Sequence, residues 1–230
     1  MPRSADIIDA KVFEADFFLE KLATAGTDFF AARCYFSAFV SASRSITFAF
    51  QASLRDVPGF AEWYASQQRR LRETPSARFL LEVRNETQKI GHTPLNVGQS
   101  ERRPDGTIQL SYFFSGGFDG DPGLIPEHDV ESVCREHLRL LIDIVYQCYE
   151  TFDVMSPLSF YSVPNFEARK FTLEDMEEAL GVPRGWTNVE GASFEDRLRR
   201  LRRQFPDTAI DRLFLRYSGY ARSSASEEAG

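Results

Sequence analysis

Apolar residues recur every three or four positions over most of this 230-residue chain, and that spacing is typical of amphipathic helices. Five segments with this pattern are predicted to form the body of the fold. They are residues 12–25, 28–54, 60–73, 75–90 and 129–152. Asp28 or Thr27 is predicted to cap the second of these helices and Asp129 the last, and Gly91 is predicted to end the fourth.

The pattern changes between residues 95 and 115. Thr107–Tyr112 alternates polar and apolar residues with period two, which predicts a β-strand. The turn signal Arg103-Pro104-Asp105-Gly106 precedes it, so Leu95–Arg102 is predicted to be the partner strand. The expected fold class is therefore all-α, a four- to five-helix bundle with an inserted β-hairpin.

The last third of the chain predicts a small helical appendage. Capping-box patterns begin at Thr172 and at Ser193, and a last helix is predicted to run to about Tyr217. The expected domain organisation is a helical bundle over 1–152 with the hairpin near 95–115, an appendage over 153–220 and a disordered tail over 221–230.

Composition narrows the functional classes. Hydrophobic residues make up 43% of the chain, enough for a sizeable core and too many for intrinsic disorder, while charged residues interrupt the most apolar stretch before it could span a membrane. The net charge of −7 argues against a protein that binds nucleic acid over its whole surface. Among the 27 basic residues only four are Lys, and the remaining 23 are Arg, which binds phosphate in a bidentate manner. The alternative reason for this arginine excess is a GC-rich genome.

Cysteine content and the N-terminal residues predict the compartment. Cys34, Cys134 and Cys148 are an odd number, and the last two are too far apart on one helix to form a disulfide. Buried thiols in a reducing, cytoplasmic protein are therefore expected. No apolar stretch follows the first residues, so no signal peptide is expected.

One motif suggests chemistry. Arg84 and Asn85 lie late on an apolar helix, and His92 follows just beyond the glycine that ends that helix. Arg can hold a phosphate, and His exchanges a proton near neutral pH. Eight steps of an uninterrupted helix would place Arg84 and His92 about 12 Å apart along the axis, so a shared site requires the chain to reverse at Gly91. The alternative is structural: Arg84 pairs with an acidic neighbour and His92 caps the helix.

In these residues the sequence resembles the HEPN superfamily (higher eukaryotes and prokaryotes nucleotide-binding domains) over roughly residues 12–152. The resemblance implies a helical bundle and, in active members, a dimeric, metal-independent endoribonuclease. It also implies that Arg84 holds the scissile phosphate, Asn85 orients it, and His92 is the general acid or base. The interval between Arg84 and His92 is longer than the family spacing.

Two arginine clusters are further candidates for nucleic-acid binding. They consist of Arg69, Arg70 and Arg72 in the bundle and of Arg197, Arg200 and Arg203 in the appendage. The alternative for the second cluster is a solvated helix face paired with Glu195 and Asp196.

No metal or cofactor is predicted. The residues His128, Glu131, Cys134 and His137 recur every three positions and drift around their helix, so one surface histidine and one core histidine are expected instead of a metal site.

Two functions remain open at this point. The first is RNA cleavage by Arg84 and His92, with RNA as substrate and a homodimer formed through the helical bundle. The second is a non-catalytic interaction protein with a protein partner, such as a toxin-neutralising or scaffold subunit. No membrane partner is expected.

Overall fold

The structure, a computed structural model, is an all-α fold with a small inserted β-hairpin. It describes residues 6–102, 106, 108–114, 122–152, 166–167, 170, 172–179, 181–202 and 209–219. The chain folds into two compact units, Met1–Val145 and Tyr146–Gly230. The first contains the bundle and the hairpin, and the second contains the predicted appendage.

Five long helices form the first unit, and the last of them continues into the second. They are α1 (Asp6–Ala23), α2 (Phe29–Leu54), α3 (Phe60–Glu73), α4 (Pro75–Ile90) and α5 (Val130–Thr151). The predicted bounds of α2 to α5 are confirmed within one or two residues. The predicted start of α1 was wrong by six residues, because Ile8 is buried one helical turn before Val12 and extends the apolar stripe.

Local chemistry accounts for these helix ends. The Asp28 carboxylate accepts a hydrogen bond of 2.9 Å from the Ala31 amide, and Asp129 accepts one of 3.0 Å from Ser132. Gly91 has φ +70°, a left-handed conformation that suits glycine, and its amide donates to the Thr87 carbonyl. The capping roles predicted for Asp129 and Gly91 are thus confirmed, and of the two candidates for α2 the cap is Asp28.

The hairpin pairs β1 (Leu95–Arg102) with β2 (Ile108–Phe114) in antiparallel register. Strand β2 continues past the predicted Tyr112 because the Phe114 ring packs 4.7 Å from Phe79 of α4 and 5.8 Å from Phe36 of α2. The predicted turn residues Arg103–Asp105 lie outside the described residues.

Three shorter helices belong to the second unit: α6 (Leu173–Ala179), α7 (Phe194–Arg202) and α8 (Ala209–Ser218). Both predicted capping boxes form, because Thr172 and Ser193 each exchange hydrogen bonds with the acidic residue three positions later. The predicted tail over 221–230 lies outside the described residues.

The Glu177 carboxylate organises the loop after α6. It is fully buried, and it accepts hydrogen bonds from the amides of Gly185 and Thr187 and from the Thr187 hydroxyl. Burial alone would raise its pKa, but these hydrogen bonds prevail and the pKa of Glu177 is lowered.

The prediction of buried thiols was correct for two cysteines and wrong for the third. Cys134 and Cys148 are buried and free, and burial raises the pKa of the Cys148 thiol to about 12. Cys34 is exposed, because it lies on the face of α2 opposite the buried stripe. Within the described part of the chain, no helix is both long and apolar enough to cross a bilayer.

Candidate anion-binding site

Helices α2 to α5 line a half-open cavity of about 160 Å³ in the first unit. Each helix contributes residues that follow helical spacing, such as Ser43, Arg44 and Thr47 on α2, so each presents one face to the same space. The remaining lining residues are Val40 of α2, Tyr64, Gln68, Leu71 and Arg72 of α3, Ala77, Arg78, Leu80, Leu81 and Arg84 of α4, and His137 and Leu141 of α5.

Four of the lining residues are arginines: Arg44, Arg72, Arg78 and Arg84. The described lining residues include no Asp or Glu. None of the four arginines forms an ion pair with a described residue, whereas the neighbouring Arg70 does, 2.7 Å from Asp143. A concentration of guanidinium groups without a lining carboxylate is the arrangement that binds an anion.

Arg84 is a half-buried residue of this site. Its Nη1 donates to Oδ1 of Asn85 at 3.3 Å, and its Nε atom is buried with no hydrogen-bond partner among the described residues. An unsatisfied buried donor is costly, and a bound acceptor would remove that cost. Arg44 is better satisfied, because its Nη1 donates to the Thr47 hydroxyl at 3.0 Å and its guanidinium lies over the Phe48 ring.

His137 supplies the second unsatisfied atom. Its side chain is buried, at 8% exposure, and its Nδ1 has no hydrogen-bond partner within the described structure. Burial lowers the pKa of His137 from its ordinary 6.5 to about 4, so the ring is neutral at pH 7. The predicted division into one surface and one core histidine is confirmed, since His128 is exposed.

The hydroxyl groups of the lining are already committed to backbone carbonyls. Thr47 donates to the carbonyl of Arg44 at 2.8 Å, Ser43 to that of Val40 at 3.2 Å, and Tyr64 to that of Thr47 at 2.9 Å. The groups left to meet a ligand are therefore the guanidinium groups, the Gln68 carboxamide and the imidazole. Together they can bind a tetrahedral oxyanion such as phosphate.

The three residues of the predicted catalytic motif do not all line the cavity. Arg84 lines the cavity, but neither Asn85 nor His92 is among its lining residues. The chain does reverse at Gly91, as a shared site requires, and this places Nδ1 of His92 at 3.4 Å from the Glu86 carboxylate. The Thr87 hydroxyl donates to the His92 carbonyl at 3.0 Å and fixes the reversal.

The first predicted arginine cluster separates into three environments. Arg72 lines the cavity, Arg69 is exposed, and Arg70 pairs with Asp143 and so links α3 to α5.

The second cluster is largely engaged in ion pairs or exposed to solvent. Arg197 lies 2.5 Å from Glu174 and 3.7 Å from Glu177. The neighbouring Arg199 pairs with Asp196 at 3.0 Å, which agrees with the alternative prediction for this helix face. Arg200 is exposed, and Arg203 lies outside the described residues.

Sequence reasoning missed Arg44, Arg78 and His137 as site residues. The available signal was Arg44 itself, a charge in the middle of the most apolar helix of the chain. A cation at such a position requires a partner or a ligand, although the sequence does not show which residues approach it.

The comparisons with known proteins bear on part of the chain. The model of the family described as bacteriophage lambda protein ea47 matches residues 27–98, under a third of the chain. That segment carries all four cavity arginines but not His137. No curated protein and no solved structure matches this chain. The HEPN resemblance stays a prediction.

Proposed function

We propose that this protein binds RNA by enclosing a phosphate group in the cavity between helices α2 and α5. The observation that supports the proposal is the set of four arginines that line the cavity without a lining carboxylate among the described residues. The chain has a net charge of −7, so a polyanion must bind where positive charge is locally concentrated. RNA is the phosphate-bearing ligand that the Arg84-Asn85 motif favours.

A binding measurement with paired variants tests this function. Arg72 and Arg78 are exposed at the cavity, so their replacement by Gln removes two guanidinium groups without disturbing the core. We expect the R72Q/R78Q variant to bind a short single-stranded RNA at least about tenfold more weakly, because each charge-assisted hydrogen bond is worth about 1.5–3 kcal/mol. Fluorescence polarisation of a labelled RNA measures the change.

The matched control is R33Q/R139Q. Arg33 and Arg139 are exposed residues of α2 and α5 that do not line the cavity, and their loss changes the net charge equally. This control is expected to bind within about twofold of the unmodified protein, because distant exposed charges are screened. Equal weakening in both variants would contradict the proposal.

RNA cleavage is the second candidate function. The observation that favours it is the reversal at Gly91, which brings His92 beside Glu86, a carboxylate able to orient a histidine for proton transfer. In this proposal Arg84 holds the phosphate, Asn85 supports it, His92 transfers the proton, and two bundles pair as a homodimer.

Incubation with RNA in the presence of a chelator tests cleavage. We expect the unmodified protein to cut the RNA and both R84A and H92A to lose that activity. Loss in R84A with full activity in H92A would exclude His92 as the acid or base. RNA binding without cleavage would support the first proposal alone. Co-purification with one protein partner and no cleavage would favour the non-catalytic interaction protein.

A further inference from the structure

We propose that the cavity recognises the terminal phosphomonoester of an RNA strand, which enters end-on toward His137. This inference rests on the proposed RNA-binding function and adds which part of the RNA is bound. It follows from the size, the depth, the charge and the unsatisfied atoms of the cavity.

The volume of the cavity limits what it can enclose. It holds about 160 Å³, below the roughly 300–1,000 Å³ of sites that enclose a drug-sized ligand. A phosphate group fits such a space, and a whole nucleotide does not. An internal phosphate would need the chain to leave in two directions, whereas a terminal phosphate needs only one.

Exposure of the lining residues shows that the cavity has an opening and a floor. Arg72, Arg78 and Leu81 are exposed and form the opening. The buried lining residues include His137, Leu80 and Leu141, and we infer that they form its floor. An end-on group therefore passes two arginines before it reaches the histidine.

Charge favours a terminal phosphate over an internal one. The four guanidinium groups are opposed by no carboxylate among the described lining residues, and His137 is neutral. An internal phosphodiester carries one negative charge, whereas a phosphomonoester carries about −1.5 to −2 at pH 7. The Coulomb attraction grows with the ligand charge, so the monoester is held more tightly.

The number of terminal oxygens also favours a terminal phosphate over an internal one. A phosphomonoester presents three terminal oxygens and an internal diester presents two. Nε of Arg84 and Nδ1 of His137 are the buried atoms of the lining that have no partner among the described residues. Arg84 can donate to one oxygen and the exposed pair Arg72 and Arg78 to a second, which leaves the third oxygen of a monoester for the Nδ1–H tautomer of the neutral His137 ring. A diester has no third oxygen to accept that hydrogen bond.

Competition between RNAs of one sequence tests the end specificity. One RNA carries a 5′-phosphate, one a 3′-phosphate, and one carries hydroxyl groups at both ends; inorganic phosphate is the small probe. We expect at least one phosphorylated RNA to bind about tenfold or more tightly than the RNA with hydroxyl ends, and inorganic phosphate to compete with it. Equal affinity of the three RNAs overturns the inference.

Two substitutions test the role of His137. His137→Leu removes both ring nitrogens, whereas His137→Asn keeps an amide near the position of Nδ1. We expect the preference for the phosphorylated RNA to disappear in H137L and to persist in H137N, with thermal unfolding as the check that each variant folds. A preference for the phosphorylated RNA that is unchanged in folded H137L contradicts the role assigned to His137. The competition between RNA ends uses the unmodified protein, so it tests end recognition even if neither variant folds.

The two proposals fail in different ways. If all three RNAs bind equally and R72Q/R78Q weakens all of them, RNA binding at the cavity stands and end recognition is wrong. If none of the RNAs binds the unmodified protein, the proposed function itself is wrong.

Discussion

Residues of one type have different roles in this protein because their partners differ. Arg70 and Arg72 are two positions apart on α3, yet Arg70 pairs with Asp143 while Arg72 lines the cavity. His92 and His137 differ in the same way, since one lies beside a carboxylate and the other is buried without a described partner for Nδ1. The chemistry of each residue is set by burial and neighbours.

The buried neutral state of His137 predicts a pH dependence of stability. The pKa of His137 is about 4 in the folded protein and near 6.5 in the unfolded chain. Between these values the unfolded state binds more protons, so the free energy of unfolding falls as pH is lowered from about 6.5 to about 4. The contribution lost is at most about 3 kcal/mol.

Urea unfolding of the protein and of H137L at several pH values measures this contribution. H137L is expected to lack this part of the pH dependence, while carboxylates such as Glu177 still titrate at lower pH in both proteins. Identical pH profiles above about pH 4.5 would show that His137 does not carry the effect.

At the scale of elements, the hairpin is attached to the bundle by ring contacts and a hydrogen bond. The Tyr112 hydroxyl donates to the Gly26 carbonyl at 2.7 Å in the turn between α1 and α2, and Phe114 packs on α2 and α4. The register of the two strands shifts between Val97 and Ser100, where Gly98 lies against the Phe113 ring. The hairpin therefore depends on a position without a side chain.

Replacement of Gly98 tests this dependence. A Cβ atom at residue 98 would overlap the Phe113 ring and lie 2.7 Å from the Ser111 carbonyl oxygen, so ring and backbone would both have to move. We expect Gly98→Ala to lower the free energy of unfolding by about 1–3 kcal/mol. Ser100→Ala, at an exposed position of the same strand, is expected to change it by less than about 0.5 kcal/mol.

Hydrogen exchange at the hairpin amides locates the effect in G98A. Faster exchange in both strands relative to S100A is the expected result. Unchanged stability and exchange in G98A would show that the strands accommodate a side chain at this position.

At the scale of the whole molecule, charge is distributed unevenly. The net charge is −7, yet four arginines meet at one cavity in the first unit. A protein that covers many phosphates releases many counterions, whereas a single enclosed phosphate releases few. The salt dependence of RNA affinity therefore distinguishes a local site from a basic surface.

We expect a shallow salt dependence. With about 0.7 counterions released per neutralised phosphate on single-stranded RNA, a plot of log affinity against log salt should have a slope of about −0.7 for one enclosed phosphate. Titrations of the short RNA at several salt concentrations measure it. A slope steeper than about −4 would indicate a binding surface far larger than the cavity.

The sequence predicted the arginines of the cavity better than its histidine. Arg72 and Arg84 were identified as phosphate-binding candidates, and both line the cavity. His137 was predicted to face the core, and only the tertiary structure shows that it lines the same cavity as Arg84. The hydrogen bonds to the buried Glu177 carboxylate could not be predicted from the sequence either, because its partners Gly185 and Thr187 belong to a loop without a repeating pattern.

The sequence by itself determined the helices and their ends. Apolar spacing and the caps at Asp28, Gly91, Asp129, Thr172 and Ser193 act over a few residues, so neighbouring positions suffice to predict them. Only the tertiary structure decided which arginines share a cavity and which meet a carboxylate. Those encounters join residues up to 73 positions apart, as for Arg70 and Asp143, and the packing of several helices, not the local pattern, sets the distances between their side chains.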